Sequence, residues 1–268
     1  MQPIFRDLLL QDKVAVITGG GSGINLRIAE RFAKHGAKVV LVGRTQEKLD
    51  QAAAGIKGSG GDAVGYSADV RDYAALEGVF AKTYDTFGEV DILVCGAAGN
   101  FPAAATGMSA NGFKAVVEID LMGTFNSCRA AYQHLRKPGA AIVNISAIQS
   151  VIPMPFQSHV CAAKAGVDMI TKTLAIEWGP EGVRVNSIAP GPIADTEGMK
   201  RLGANPEAEE LLTQSVPLKR YGTKDNIADL ALFLCTPAAE YINGAVILCD
   251  GGQSLLGSGA WASAMGAQ

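Results

Sequence analysis

Three features of the 268-residue sequence predict an α/β fold, one domain built around a doubly wound parallel sheet. A β-branched apolar run, Lys13-Val-Ala-Val-Ile-Thr18, leads directly into the glycine turn Gly19-Gly-Gly-Ser-Gly-Ile24, and an amphipathic helical pattern follows. Apolar runs of strand length then alternate with helical periods along nearly the whole chain. The length, with 48% hydrophobic and 18% charged residues, suits one large domain with a sizeable core rather than two small ones.

The first unit sets the expected chemistry. Leu26, Ile28, Ala29, Phe32 and Ala33 fall on one face of a helix predicted from Leu26 to His35, and Lys38-Val-Val-Leu-Val42 supplies the next strand. Strand, glycine turn and helix in that order form a Rossmann-type dinucleotide site. Backbone without side chains lets a pyrophosphate approach, and the helix N-terminus offers it free N–H groups. Gly19, Gly20, Gly21, Ser22, Gly23 and Ile24 are the residues so placed. Where an NAD-binding chain usually carries an acid for the ribose 2′-OH, this one has Gly43-Arg44-Thr45. Arginine suits a 2′-phosphate, so NADPH is the expected cofactor; solvated surface charge is the alternative for Arg44.

Strands are predicted at Ala63 to Tyr66 and Ile92 to Cys95, with a helix from Tyr73 to Phe87 between them. Asp69-Val70 is expected to end the third strand and Gly96-Ala97-Ala98-Gly99 the fourth, at the strand ends where doubly wound sheets bind ligands. Phe113 to Leu135 reads as one long helix. The next strand opens the stretch from Ile142 to Trp178, a loop holds Pro153 and Pro155, and a helix runs from Phe156 to Trp178. Lys164 lies in that helix among Val160, Ala162, Ala163, Ala165 and Val167, where snorkelling to water is its ordinary explanation. A strand from Val183 to Ala189, the turn Pro190-Gly-Pro-Ile193, a polar stretch from Asp195 to Gln214, a helix near Asn226 to Leu234 and a strand from Ala245 to Leu248 complete the chain.

Bulk properties narrow the partners. A formal net charge of -3 gives no electrostatic case for nucleic acid. The five cysteines form neither a CxxC pair nor a zinc cluster, so no metal site and no disulfide framework is expected. No apolar run approaches the roughly 20 residues of a membrane span. The N-terminus lacks a signal-peptide pattern and the C-terminal Met-Gly-Ala-Gln is not a peroxisomal address, leaving the cytoplasm as the expected location.

Taken together, Thr18-Gly-Gly-Gly-Ser-Gly23-Ile, Asp69-Val, Ala97-Ala-Gly99, Asn144-Ile-Ser-Ala, Lys164, Arg184-Val-Asn-Ser-Ile-Ala-Pro190-Gly and Asp250-Gly-Gly252 resemble the short-chain dehydrogenase/reductase family over nearly the whole chain. The resemblance implies a nicotinamide cofactor and, commonly, a homotetramer. Its departures are informative. The family's catalytic tyrosine, four residues before the lysine, is here Val160, and its serine, thirteen residues before that tyrosine, is Ala147. Neither can move a proton. The active-site asparagine becomes Asp120, and the third glycine of the cofactor turn becomes Asn25, whose side chain is expected to crowd the pyrophosphate or the helix packing.

Those departures resemble one branch, the 2,4-dienoyl-CoA reductases of the peroxisomal type. Gly99-Asn-Phe101, Glu118-Ile-Asp120, Gly123-Thr-Phe-Asn126, His159 ahead of Lys164, and Pro190-Gly-Pro-Ile-Ala-Asp-Thr-Glu-Gly198 carry that likeness. It implies reduction of a dienoyl thioester by NADPH, with Asp120 and Lys164 catalytic and an acyl-CoA as the small-molecule partner. Implied cofactor contacts are the glycine turn, Arg44, Thr45, Lys48, Asp69, Val70, Ala97, Ala98, Gly99, Lys164, Pro190, Gly191, Pro192, Ile193 and Thr196. Implied substrate contacts are Arg44, Arg71, Phe101, Ser109, Ala110, Asn111 and Arg201, with a substrate loop at about 194–217. Arg71 and Arg201 suit CoA phosphates, and Phe101 offers apolar surface. His159 is expected to be a hydrogen-bonded structural residue, with a place in the proton network as its second reading. Another conjugated enoyl thioester as substrate, and a catalytically silent NADP-binding scaffold, stand as alternatives.

Overall fold

Seven segments become strands: β1 (Val14–Thr18), β2 (Lys38–Gly43), β3 (Asp62–Ser67), β4 (Ile92–Cys95), β5 (Ala141–Ile145), β6 (Arg184–Pro190) and β7 (Val246–Cys249). All pair parallel in one sheet of order β3-β2-β1-β4-β5-β6-β7. The computed structural model describes residues 7–197, 199 and 206–258.

The sheet order reverses between β1 and β4, where Thr18 pairs with Cys95 and Cys95 in turn with Asn144. The C-terminal ends of β1, β4 and β5 therefore meet at the switch point, and ligands of such sheets bind in the crevice outside it. Eight α-helices flank the strands: α1 (Gly23–Lys34), α2 (Gln46–Gly58), α3 (Tyr73–Phe87), α4 (Ala110–Val116), α5 (Gly123–Ala131), α6 (Ser158–Trp178), α7 (Pro206–Gln214) and α8 (Lys224–Leu234), counted among the described residues.

Period-two alternation divides the core. Ala15, Ile17, Val39 and Leu41 face one side with Ile28 and Phe32 of α1, Leu49 of α2 and Ile227 and Leu232 of α8. Val16, Val40 and Val42 face the other with Leu76 and Phe80 of α3, Cys128 of α5 and Leu174 and Trp178 of α6. Helices on both faces explain why every residue of β1, β4 and β5 is buried, the polar Thr18 and Asn144 included.

Several boundaries differ from those expected. Helix α2 was not foreseen, because only Leu49, Ala53 and Ile56 of its residues are buried, a stripe too narrow to dominate the pattern. Strand β3 stops at Ser67, so Asp69 and Val70 lie in the following turn, and Asp72 caps α3 by accepting from the Ala75 N–H. The single helix expected from Phe113 to Leu135 is two, α4 and α5, joined by a π-helical segment, Val117–Met122. Helix α6 begins at Ser158 rather than Phe156, whose φ of 64° is incompatible with a right-handed turn. All five cysteines are free. No helix of the described residues is long and apolar enough to cross a membrane.

Candidate active site

The turn between β1 and α1 is shaped to admit a phosphate. Gly19 has φ 69° and Gly23 has φ 63°, left-handed values that side chains resist. A Cβ on Gly23 would meet nothing within 4 Å, so open space lies beside it. Ser22 caps α1 without a side-chain bond and the first turn holds no acid, leaving backbone N–H groups for an anion. Exposed Arg44, Thr45 and Lys48 lie where β2 passes into α2, and the Leu49 side chain reaches close to Gly21. These residues fit a dinucleotide cofactor.

Across the switch point, Thr18 Oγ1 accepts from the N–H groups of Gly96 (3.1 Å) and Ala97 (3.4 Å). Asn25 does not project into the mouth of the turn as expected. Its Nδ2 donates to the Gly96 carbonyl at 2.7 Å, which draws the amide against the strand end.

Asp120 sits in the π-helical segment, and the wider turn carries its carboxylate inward, 1% exposed. Asp120 Oδ1 accepts from Gly99 N at 2.7 Å, and Asp120 Oδ2 stands 3.2 Å from Lys164 Nζ. Lys164, 5% exposed, donates from Nζ to the Ile145 carbonyl at 3.0 Å. Both ordinary readings therefore fail: the lysine does not snorkel and the aspartate is not a surface carboxylate. Such a buried pair is net stabilising only if further hydrogen bonds complete it; Gly99 and Ile145 supply two, while Asp120 Oδ2 has the ion pair but no hydrogen-bond partner among the described residues. Val160 packs with Val116 and Ala163 in a small apolar cluster against Val117 and Leu121. The tyrosine position is filled by hydrocarbon.

The remaining expected residues are distributed as follows. Pro190 ends β6, Gly191 N donates to the Cys249 carbonyl, and a Cβ on Gly191 would stand 2.6 Å from Asp250 Cα, so the turn depends on a bare backbone there. Pro192 and Ile193 are buried, and Thr196 Oγ1 closes the loop onto the Ile193 carbonyl at 2.9 Å. Ala97 and Ala98 lead to Gly99, and Val70 packs on Gly123, where a Cβ would lie 2.5 Å from Val70 Cγ2. Asn126 Nδ2 donates to the Val70 carbonyl at 3.0 Å, fixing that turn. Ser109 caps α4 by accepting from Gly112 N, and Ala110 and Asn111 begin the helix.

One expectation is overturned, at His159, and Arg71 has a partner its sequence did not show. Arg71 is not a free cation: its Nη2 lies 2.6 Å and its Nε 3.0 Å from the two Asp69 oxygens. That side-chain bonding by Arg71 holds the Asp69 carboxyl below its ordinary pKa. His159 is fully buried, yet neither ring nitrogen has a hydrogen-bond partner among the described residues, so it is not a hydrogen-bonded structural histidine. Its ring lies 4.6 Å from that of Phe101 and 6.5 Å from that of Phe113, both 37% exposed. Arg201 and part of the expected substrate loop lie outside the described residues. Thr18 and Gly96 were placed at strand ends by the sequence, but the hydrogen bond that joins them was not, because residues 78 apart leave no local pattern of their contact.

A family model described as enoyl-(acyl carrier protein) reductase matches residues 19–254. The peroxisomal 2,4-dienoyl-CoA reductase [(3E)-enoyl-CoA-producing] of Rattus norvegicus is 46% identical over 251 residues, 93% of this chain and 86% of the relative. Among solved structures, a citronellol catabolism dehydrogenase of Pseudomonas aeruginosa PAO1 is 36% identical with a TM-score of 0.84, covering 95% of this chain and 100% of the other. A gluconate 5-dehydrogenase of Burkholderia cenocepacia J2315, solved with NADP and tartrate, is 30% identical with a TM-score of 0.88, covering 93% and 98%. With a glycine turn at the switch point and a buried lysine behind it, the chain belongs to the short-chain dehydrogenase/reductase family.

Proposed function

We propose that this chain is an NADPH-dependent reductase that converts 2,4-dienoyl-CoA to 3-enoyl-CoA in the oxidation of unsaturated fatty acids. The observation that carries this reading is the buried Asp120–Lys164 pair in a chain that has Val160 and Ala147 at the family's tyrosine and serine positions. A ketone needs an acid at its nascent alkoxide, and the side chains that would supply one are absent. A dienoyl thioester does not, because its negative charge delocalises to the thioester oxygen and the proton is delivered to carbon.

The nicotinamide, when bound, supplies the hydride. Gly19 to Ile24 and the α1 N-terminus would hold its pyrophosphate, and Arg44 with Lys48 the 2′-phosphate, which favours NADPH; a relative solved with NADP agrees. Lys164 has two tasks: hydrogen bonding to the cofactor ribose and placing fixed positive charge near the thioester oxygen. Asp120, held by Gly99 N and 3.2 Å from the Lys164 Nζ, fixes the position of that nitrogen and orients a water toward the substrate α-carbon. Phe101 and Phe113 line the acyl-CoA path, and His159 behind them offers ring nitrogens free of protein partners. Arg201, by its charge, suits a CoA phosphate.

Exposed Met122, Phe125, Met169 and Ile176 on the α5 and α6 side support a homotetramer. Free cysteines suit a reducing compartment such as the cytoplasm. The family model's description favours a second reading, in which another conjugated enoyl thioester is the substrate. Purified protein tested for NADPH consumption against dienoyl-, enoyl- and ketoacyl-CoAs separates the two. No turnover with any dienoyl-CoA would refute the first.

A further inference from the structure

We propose that Asn25 is a positioning residue that exchanges volume with Gly96: its amide fills the space a glycine in the turn would leave, and Gly96 opposite supplies the missing room. A Cβ on Gly96 would stand 2.1 Å from Asn25 Oδ1, 2.4 Å from its Cγ and 2.5 Å from its Nδ2. A Cβ on Gly19 would stand 2.9 Å from Nδ2. The asparagine amide thus lies between two bare Cα atoms, and it can occupy that slot only while both residues stay glycine.

The slot does more than fill space. The Gly96 carbonyl only accepts, so Nδ2 must face it, and the 2.7 Å bond leaves Oδ1 buried with no partner among the described residues. A buried unpaired acceptor costs stability, so stability alone does not explain an asparagine where glycine or alanine would avoid that cost. What asparagine adds is a latch from the first turn of α1 to the end of β4. From Gly96 the backbone runs three residues to Gly99, whose N–H holds Asp120. Thr18 Oγ1 pins the same strip through Gly96 and Ala97. Asn25 therefore sets the gap between the cofactor turn and the wall that carries Asp120. The proposal rests on a nicotinamide cofactor and is independent of the thioester.

Three variants of the full chain test it: Asn25→Asp, Gly96→Ala and the double variant Asn25→Gly/Gly96→Ala, each measured by fluorescence titration with NADPH and NADH and by thermal unfolding. Aspartate keeps the size but loses the donor and sets a carboxylate against the Gly96 carbonyl beside the pyrophosphate turn, so it should weaken NADPH binding by at least about tenfold, the worth of one hydrogen bond or more, and raise KM for NADPH more than it lowers kcat. Gly96→Ala should weaken binding at least as much, or fail to fold. The double variant should fold and bind more tightly than Gly96→Ala, because the clash is gone, but about tenfold more weakly than the parent, because the latch is gone with it. Parental binding retained in Asn25→Asp, or a double variant no better than Gly96→Ala alone, overturns the proposal. A parent that binds neither cofactor overturns the cofactor reading and this proposal with it.

Discussion

The carboxylate of Asp120 and the side-chain nitrogen of Lys164 stand 3.2 Å apart, both buried, and each is held from behind by backbone: Gly99 N on the acid, the Ile145 carbonyl on the base. Removing one partner leaves a buried charge unpaired, at a cost of about 3–5 kcal/mol. Asp120→Ala and Lys164→Ala should therefore each lower Tm and each cut turnover by roughly a hundredfold or more. Replacing both by apolar residues should cost less stability than either alone while leaving no activity. Thermal unfolding and steady-state rates on the same four proteins check this; full activity in either single variant would contradict the role given to that residue.

Val160 tests whether the family's usual chemistry can be restored. Its site is a buried apolar cluster with Val116 and Ala163, so a phenol there would have to displace packed side chains. Val160→Tyr should lose about 1–3 kcal/mol from overpacking and gain no ketone reduction. Measured ketone turnover with unchanged Tm would show that the site is roomier than its packing.

His159 separates stability from substrate contact. Its imidazole is buried with both nitrogens unpaired, so His159→Phe removes a polar group that burial penalises and should leave Tm unchanged or raised. KM for acyl-CoA should rise severalfold if the ring contacts substrate. A lower Tm with unaltered KM would make it a structural residue.

Asp69 gives a pH signature. The hydrogen bonds from Arg71 depress its folded pKa, so its contribution is present above the ordinary carboxylate pKa of about 3.9 and is lost as pH falls through the lower folded value. The pair is partly exposed, which limits that contribution to about 1 kcal/mol or less. The Tm difference between parent and Asp69→Asn should be constant from about pH 5 to 8 and shrink below about 4. A difference that grows on acidification would reverse the sign.

The sheet was legible because parallel strands buried on both faces leave apolar runs, and Val14 to Thr18 or Ile92 to Cys95 could hardly be read otherwise. The glycine turn and the Pro190 loop were legible through residues with restricted backbones. Helix α2 was not, since a stripe of Leu49, Ala53 and Ile56 is too thin. The π-helical segment was not, because the hydrogen-bond shift that turns Asp120 inward leaves no trace in apolar spacing. Resemblance supplied Asp120 as a candidate, and only the fold showed what it touches. Asn25 was noticed as an oddity and misjudged, because the glycine that accommodates it lies 71 residues away.

The most direct measurement is NADPH oxidation by the purified chain with 2,4-hexadienoyl-CoA, with the product identified. The account predicts turnover that depends on NADPH and yields the 3-enoyl-CoA. Tight NADPH binding with no turnover on that or any other dienoyl-CoA would contradict it.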